Sequence, residues 1–182
     1  MSPVSRQFAP EYSAECYSTM LDQERAVGDY LSDPDCSLRI TAFTRQRMVM
    51  LIEELTALKD YRTETLYLAV SLADRYLQKL AHQKKEAPCL ILLAVTCVLI
   101  AAKVEQPKCP SFGNMVGLLF VRHGVKLGER DLVCMEESIL LALDFDLESV
   151  PPLLFLERFI RVFGLDQSVL GSEGQQIECL AL

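Results

Sequence analysis

The sequence is short of the groups that do chemistry. Among 182 residues there are only two histidines, His82 and His123, and the seven cysteines form no C-x-x-C pair. Neither histidine stands at ligand spacing from a cysteine, so no metal site is expected. Nucleotide-loop, nucleophile-elbow and zinc-hydrolase motifs are all missing, and the acidic residues scatter over helix surfaces. No catalytic residue and no cofactor follow from such a chain. Positive charge is scarce as well: 18 Lys and Arg against 25 Asp and Glu give a net charge of −7. Neutralising phosphates takes a basic face, so nucleic acid and anionic membrane surfaces are disfavoured as partners. With 8 Gly and 8 Pro the chain is neither low-complexity nor fibrous.

Long hydrophobic runs are wanting too. The longest apolar stretch, Ala87 to Ala102, is flanked by Lys84, Lys85, Glu86 and Lys103. It falls short of the ~20 residues that span a bilayer. The opening of the chain is polar and acidic, so no signal peptide is expected. An odd number of cysteines, several inside apolar runs, suits a reduced protein of the nucleus and/or cytoplasm.

What the chain does have is helical periodicity. Met48, Leu51, Ile52, Leu55 and Leu58 share one stripe of a segment from about Phe43 to Leu58. Thr63 is the expected N-cap of a second helix marked by Leu66, Val70, Ala73, Leu77 and Leu80. Pro88 to Val104 is apolar nearly all round, and such a helix must be enclosed by others. A weaker helix is expected from Ser111 to Val121. A further one, from about Glu129 to Leu143, carries Leu132, Met135, Ile139, Leu140 and Leu143 on one side. The fold class that follows is all-α, with five helices bundled around an apolar central one. Pro10 to Leu31 reads as a helix upstream, and Pro151 to Phe163 as a helix downstream with Gly164 as its C-cap.

Three stretches resemble the cyclin box. They are Glu64-Thr65-Leu66-Tyr67-Leu68-Ala69-Val70 with Asp74-Arg75-Tyr76-Leu77, then Leu99 to Glu105, then Met135-Glu136 with Leu143-Asp144-Phe145-Asp146-Leu147. Order and spacing follow the family, and the pattern is that of its mitotic-type and A-, B- and E-like members. The resemblance divides the chain into an N-terminal helix and linker (1–37), a cyclin box (38–148) and the beginning of a second, incomplete box (149–182). It implies a regulatory subunit, not an enzyme, that binds and activates a cyclin-dependent serine/threonine kinase in cell-cycle control. Cyclins hold the kinase's regulatory helix where its glutamate pairs with the ATP-contacting lysine.

The kinase-binding positions that match the family are Lys103, Glu136, Ile100, Val104, Glu105 and Phe145, with Tyr12 and Cys16 on the upstream helix. Val104 stands where the family has Phe, and Gln106 where it has a second acid. Arg45 matches the Arg of the family's "MRAIL" motif, a structural element together with Asp74. The rest of that motif, which in cyclins forms a groove for substrate and inhibitor peptides, departs: Thr44, Arg47 and Leu51 replace Met, Ile and Trp, while Glu54 is kept. An Arg in that groove would repel the basic peptides it ordinarily accepts, so substrate docking is expected to be weak or altered. The alternative is a non-activating cyclin-fold scaffold for protein interaction. An enzyme with an unrecognised site and a small membrane protein are more distant rivals.

Overall fold

A computed structural model of the chain describes residues 17–21, 31, 38–108, 112–149, 155–156 and 159. Five helices are fully bounded: α1 (Ala42–Leu58), α2 (Thr63–His82), α3 (Leu90–Glu105), α4 (Phe112–His123) and α5 (Glu129–Ala142). There is no strand among the described residues. The all-α bundle expected from periodicity is what forms.

Helix α1 begins at a capping box. The Thr41 hydroxyl accepts from the Thr44 amide at 3.2 Å, and the Thr44 hydroxyl accepts from the Thr41 amide at 2.9 Å. Two N–H groups that the first turn leaves orphaned are thereby satisfied. Met48, Ile52 and Leu55 turn inward, whereas Leu58 at the exit is exposed. Helix α2 starts without a side-chain cap: Thr63 is its first helical residue and Arg62 stands at the N-cap, one position earlier than expected. Its ends are instead charge-matched to the helix dipole, with Glu64 in the first turn and Lys79 and His82 in the last.

Helix α3 is the centre. Every residue from Leu93 to Ala102 is buried, and the helix packs on α1, α2 and α5. An all-round apolar surface permits no other place for it. It starts at Leu90 and not at Pro88, with Cys89 as N-cap. The Thr96 hydroxyl, fully buried, donates to the Leu92 carbonyl at 2.8 Å. Helix α4 is anchored by Met115 and Leu119 and ends at Gly124, whose φ of +66° only glycine adopts without cost. Gly128 then serves as the N-cap of α5, which inserts Leu132 and Ile139 into the core.

Residues 17–21 are helical, and so are 155–156 and 159. The Tyr17 ring meets Phe155 edge-on, with centroids 6.1 Å apart. Leu31, the expected end of the upstream helix, lies in a turn, and the remainder of the expected flanking helices, with Tyr12 and Cys16, lies outside the described residues. Among the described residues, no helix is long and apolar enough to cross a membrane, and no group of His, Cys, Asp and Glu could hold a metal ion.

Candidate functional site

Two surfaces sit at opposite ends of α3. At its C-terminal end Lys103 leaves the buried run as the first exposed residue. Its ammonium pairs with the Glu136 carboxylate from the middle of α5 and lies 4.8 Å from the centre of the Phe112 ring at the start of α4. The cation is therefore held by an anion on one side and an aromatic face on another, in addition to its favourable position near the C-terminal pole of α3. The Lys103 side chain keeps 30% of its surface and Glu136 keeps 17%. Both can be reached from outside, yet neither is loose.

Next to Lys103 in sequence, Val104 is exposed and Glu105 half-buried, and Phe145, in the segment after α5, is exposed as well. Gln106, at the position of the missing second acid, donates to the buried Thr65 hydroxyl at 2.7 Å and ties the exit of α3 to the start of α2. Ile100 requires a correction. It was expected among the contact residues, but it is 2% exposed and belongs to the core cluster. A side chain with so little surface offers a partner no contact area.

The segment after α5 is irregular. Asp144 and Phe145 both have positive φ, 53° and 58°. Arg75 of α2 reaches this segment, donating to the Asp146 carbonyl, the Asp146 carboxylate and the Glu148 carbonyl at 2.9, 2.9 and 2.8 Å. The neighbouring Asp74 faces the other way along the chain. It accepts two hydrogen bonds from the Arg45 guanidinium, at 2.9 and 2.7 Å, which pin the start of α1 to α2. Beneath them the Cys97 thiol is pushed far up from its ordinary value, first by burial and then by the Asp74 charge. Tyr76 is raised chiefly by burial.

The second surface is an open groove of about 700 Å³ near the N-terminal end of α3. Thr44, Arg47, Leu51 and Glu54 of α1 line it, facing Leu90 and Ile91 of α3 and Leu119 and His123 of α4. Two of these residues have engagements that the sequence did not reveal. Thr44 is committed to the capping box of α1. Glu54 is committed to α4, accepting from Arg122 Nε at 3.2 Å and lying 3.2 Å from His123 Nε2. Arg47 remains exposed on the rim. At a rise of 1.5 Å per residue the two ends of α3, Leu90 and Lys103, are about 20 Å apart.

Phe112, Arg122, His123 and Arg75 were not singled out as site residues. Three of them act across a long separation in sequence, 71 residues for Arg75 to Asp146 and 68 for Arg122 to Glu54, whereas Phe112 meets Lys103 across the connection between α3 and α4. The one available signal was composition: a short helix ending in Arg-His beside an acid-bearing helix.

Residues 15–148 match the family model described as "Cyclin, N-terminal domain". The chain is 32% identical over 163 residues to "Cyclin-A1-2" of Arabidopsis thaliana, covering 85% of this chain and 34% of that protein. It is 33% identical over 154 residues to "G2/mitotic-specific cyclin-B3" of Gallus gallus, covering 83% and 36%. A "G1/S-specific cyclin-E" of Drosophila melanogaster is 38% identical over 109 residues, covering 58% and 14%. The chain thus spans about a third of the length of the first two relatives.

Proposed function

The chain belongs to the cyclin family, and on that premise we propose that it is a regulatory subunit that docks on a cyclin-dependent serine/threonine kinase and favours its active state. The chain does no chemistry itself. Binding the active kinase conformation more tightly than the inactive one is sufficient, because a ligand shifts a two-state equilibrium by its difference in affinity. The docking residues in this reading are Lys103, Glu136, Val104, Glu105 and Phe145.

What carries the reading is the arrangement of Lys103. Its charge is fixed by Glu136 and Phe112 before any partner arrives, at a rim that also exposes Val104. A side chain ordered in advance spares the ~0.5–1.5 kcal/mol that immobilising a flexible one on binding would cost. The groove supports a second element of the proposal: substrate docking differs from that of ordinary cyclins. Glu54, the acid that would meet a basic peptide, is already occupied by Arg122 and His123, and Arg47 adds like charge at the rim.

The test is to mix the chain with a panel of cyclin-dependent kinases and to measure both complex formation and phosphotransfer. Truncating a desolvated interface charge costs about 2–5 kcal/mol, so Lys103→Ala/Glu136→Ala should lose kinase binding. A double variant that binds like wild type overturns the assigned site. Complex formation without phosphotransfer turns the reading into that of a non-activating scaffold.

A further inference from the structure

Phe145 is a large apolar side chain with 64% of its surface exposed, and its backbone is in the left-handed region. The preceding Asp144 is left-handed too. One such residue is uncommon outside glycine, and for a bulky residue it is an outlier. Two in succession are costly, and such a conformation persists only where its surroundings over-determine it. Within the turn the Phe145 amide donates to the Leu140 carbonyl at 2.9 Å and the Asp146 amide to the Leu143 carbonyl at 2.9 Å. The external hold is Arg75. Its side chain keeps only 18% of its surface, and its guanidinium is spread over two main-chain carbonyls and one carboxylate of residues 146–148.

The ion pair is the lesser part of this contact. The Asp146 carboxylate is 62% exposed, and an exposed charge pair contributes little. The geometry is the greater part. A planar fork of donors can bond two carbonyls that point the same way only if the chain between them takes one path. Arg75 stands on α2, a helix buried against α3, so the fork has a rigid base.

We propose that Arg75 is a positioning residue for kinase docking: it latches the segment after α5 so that Phe145 is presented outward in one conformation. The inference rests on the docking role of Phe145 given above, but the latch itself exists in the free chain and can be measured there. Amide hydrogen exchange in the unbound full chain is the first measurement. In Arg75→Ala, exchange at the amides of 145, 146 and 148 rises by about 10- to 100-fold, the worth of a lost charge-assisted contact, while exchange in α3 stays as in wild type. Affinity for whichever cyclin-dependent kinase binds the wild-type chain is the second measurement. Arg75→Ala weakens it toward the level of Phe145→Ala.

A rescue separates positioning from plain structural support. Glycine accepts a positive φ without the steric cost borne by other residues, so adding Asp144→Gly to Arg75→Ala should recover about five- to thirtyfold of the lost affinity. Unchanged exchange in Arg75→Ala overturns the latch. So does a loss of protection spread over α3, or a failure of Asp144→Gly to recover binding. If exchange behaves as stated but Phe145→Ala binds normally, the latch stands and the docking role of Phe145 falls.

Discussion

Removing either partner of the Arg45–Asp74 pair should destabilise the fold by more than an exposed ion pair could explain. The two hydrogen bonds are 2.9 and 2.7 Å long and share one fork, and the side chains keep 24% and 18% of their surface. An exposed pair is worth about 0.2–1 kcal/mol. Orphaning one member of a fully buried pair costs about 3–5 kcal/mol. This pair lies between those limits, nearer the buried one, so Arg45→Ala and Asp74→Ala should each cost about 2–3 kcal/mol. The double variant leaves no charge stranded and should cost well under the sum, with a coupling of about 1–2 kcal/mol. Arg45→Lys should recover little, because a single ammonium cannot span both carboxylate oxygens. Urea unfolding at neutral pH, followed by circular dichroism, supplies the four free energies of the cycle. Additive single effects, with a coupling below about 0.5 kcal/mol, would refute the view that this pair holds α1 against α2.

The buried Cys97 and Tyr76 make the fold sensitive to alkali. Their folded values lie above the ordinary 9.0 and 10.0, so above each ordinary value the unfolded chain has released a proton that the folded chain keeps. Stability is complete below pH 9 and falls above it, by up to about 1.4 kcal/mol per pH unit from Cys97, with Tyr76 adding to the fall above pH 10; Cys97→Ala should flatten the first part of the slope, and an unfolding free energy that does not move above pH 9 sinks the idea. In the native chain iodoacetamide should label the exposed Cys89 and Cys134 and spare Cys97, as peptide mapping by mass spectrometry can check. Leu99→Ala, in the fully buried centre of α3, should cost about 2–5 kcal/mol in urea unfolding, and a cost below 1 would mean that α3 is not the centre of the core. In the groove, Arg47→Ile with Arg122→Ala should raise affinity for an Arg-x-Leu peptide by removing like charge and freeing one Glu54 carboxylate oxygen; wild-type binding already as tight as an ordinary cyclin's contradicts the altered-docking proposal.

Helix α3 was legible because the sixteen uncharged residues from Ala87 to Ala102 in one run can only be a buried helix, and Lys103 was legible because it ends that run. The same uniformity hid the facing of Ile100. In a helix apolar on every side, no stripe marks which residue looks outward, and alignment with the family put it on the surface when packing put it inside. Thr63 looked like a cap because it precedes an acid and an apolar stripe, but the turn from Lys59 to Arg62 already sets the chain in helical register one residue earlier. The Thr41–Thr44 box is written in the sequence as a pair of hydroxyl residues at capping-box spacing, and the same Thr44 also occupies a groove position. The hold of Phe112 on Lys103, of Arg122 on Glu54 and of Arg75 on Asp146 depends on how α4 and the segment after α5 fold back. No local pattern encodes that.

Because α3 is enclosed along ten successive residues, its residue count works as a ruler between the groove and Lys103. Inserting a single amino acid would turn everything beyond it by about 100° and push it 1.5 Å along the axis. Lys103 would swing off Glu136 while the groove stayed where it was. Volume-conserving substitutions within this helix can be absorbed by repacking, whereas changes in its length cannot, so relatives that keep both surfaces should share its span to the residue.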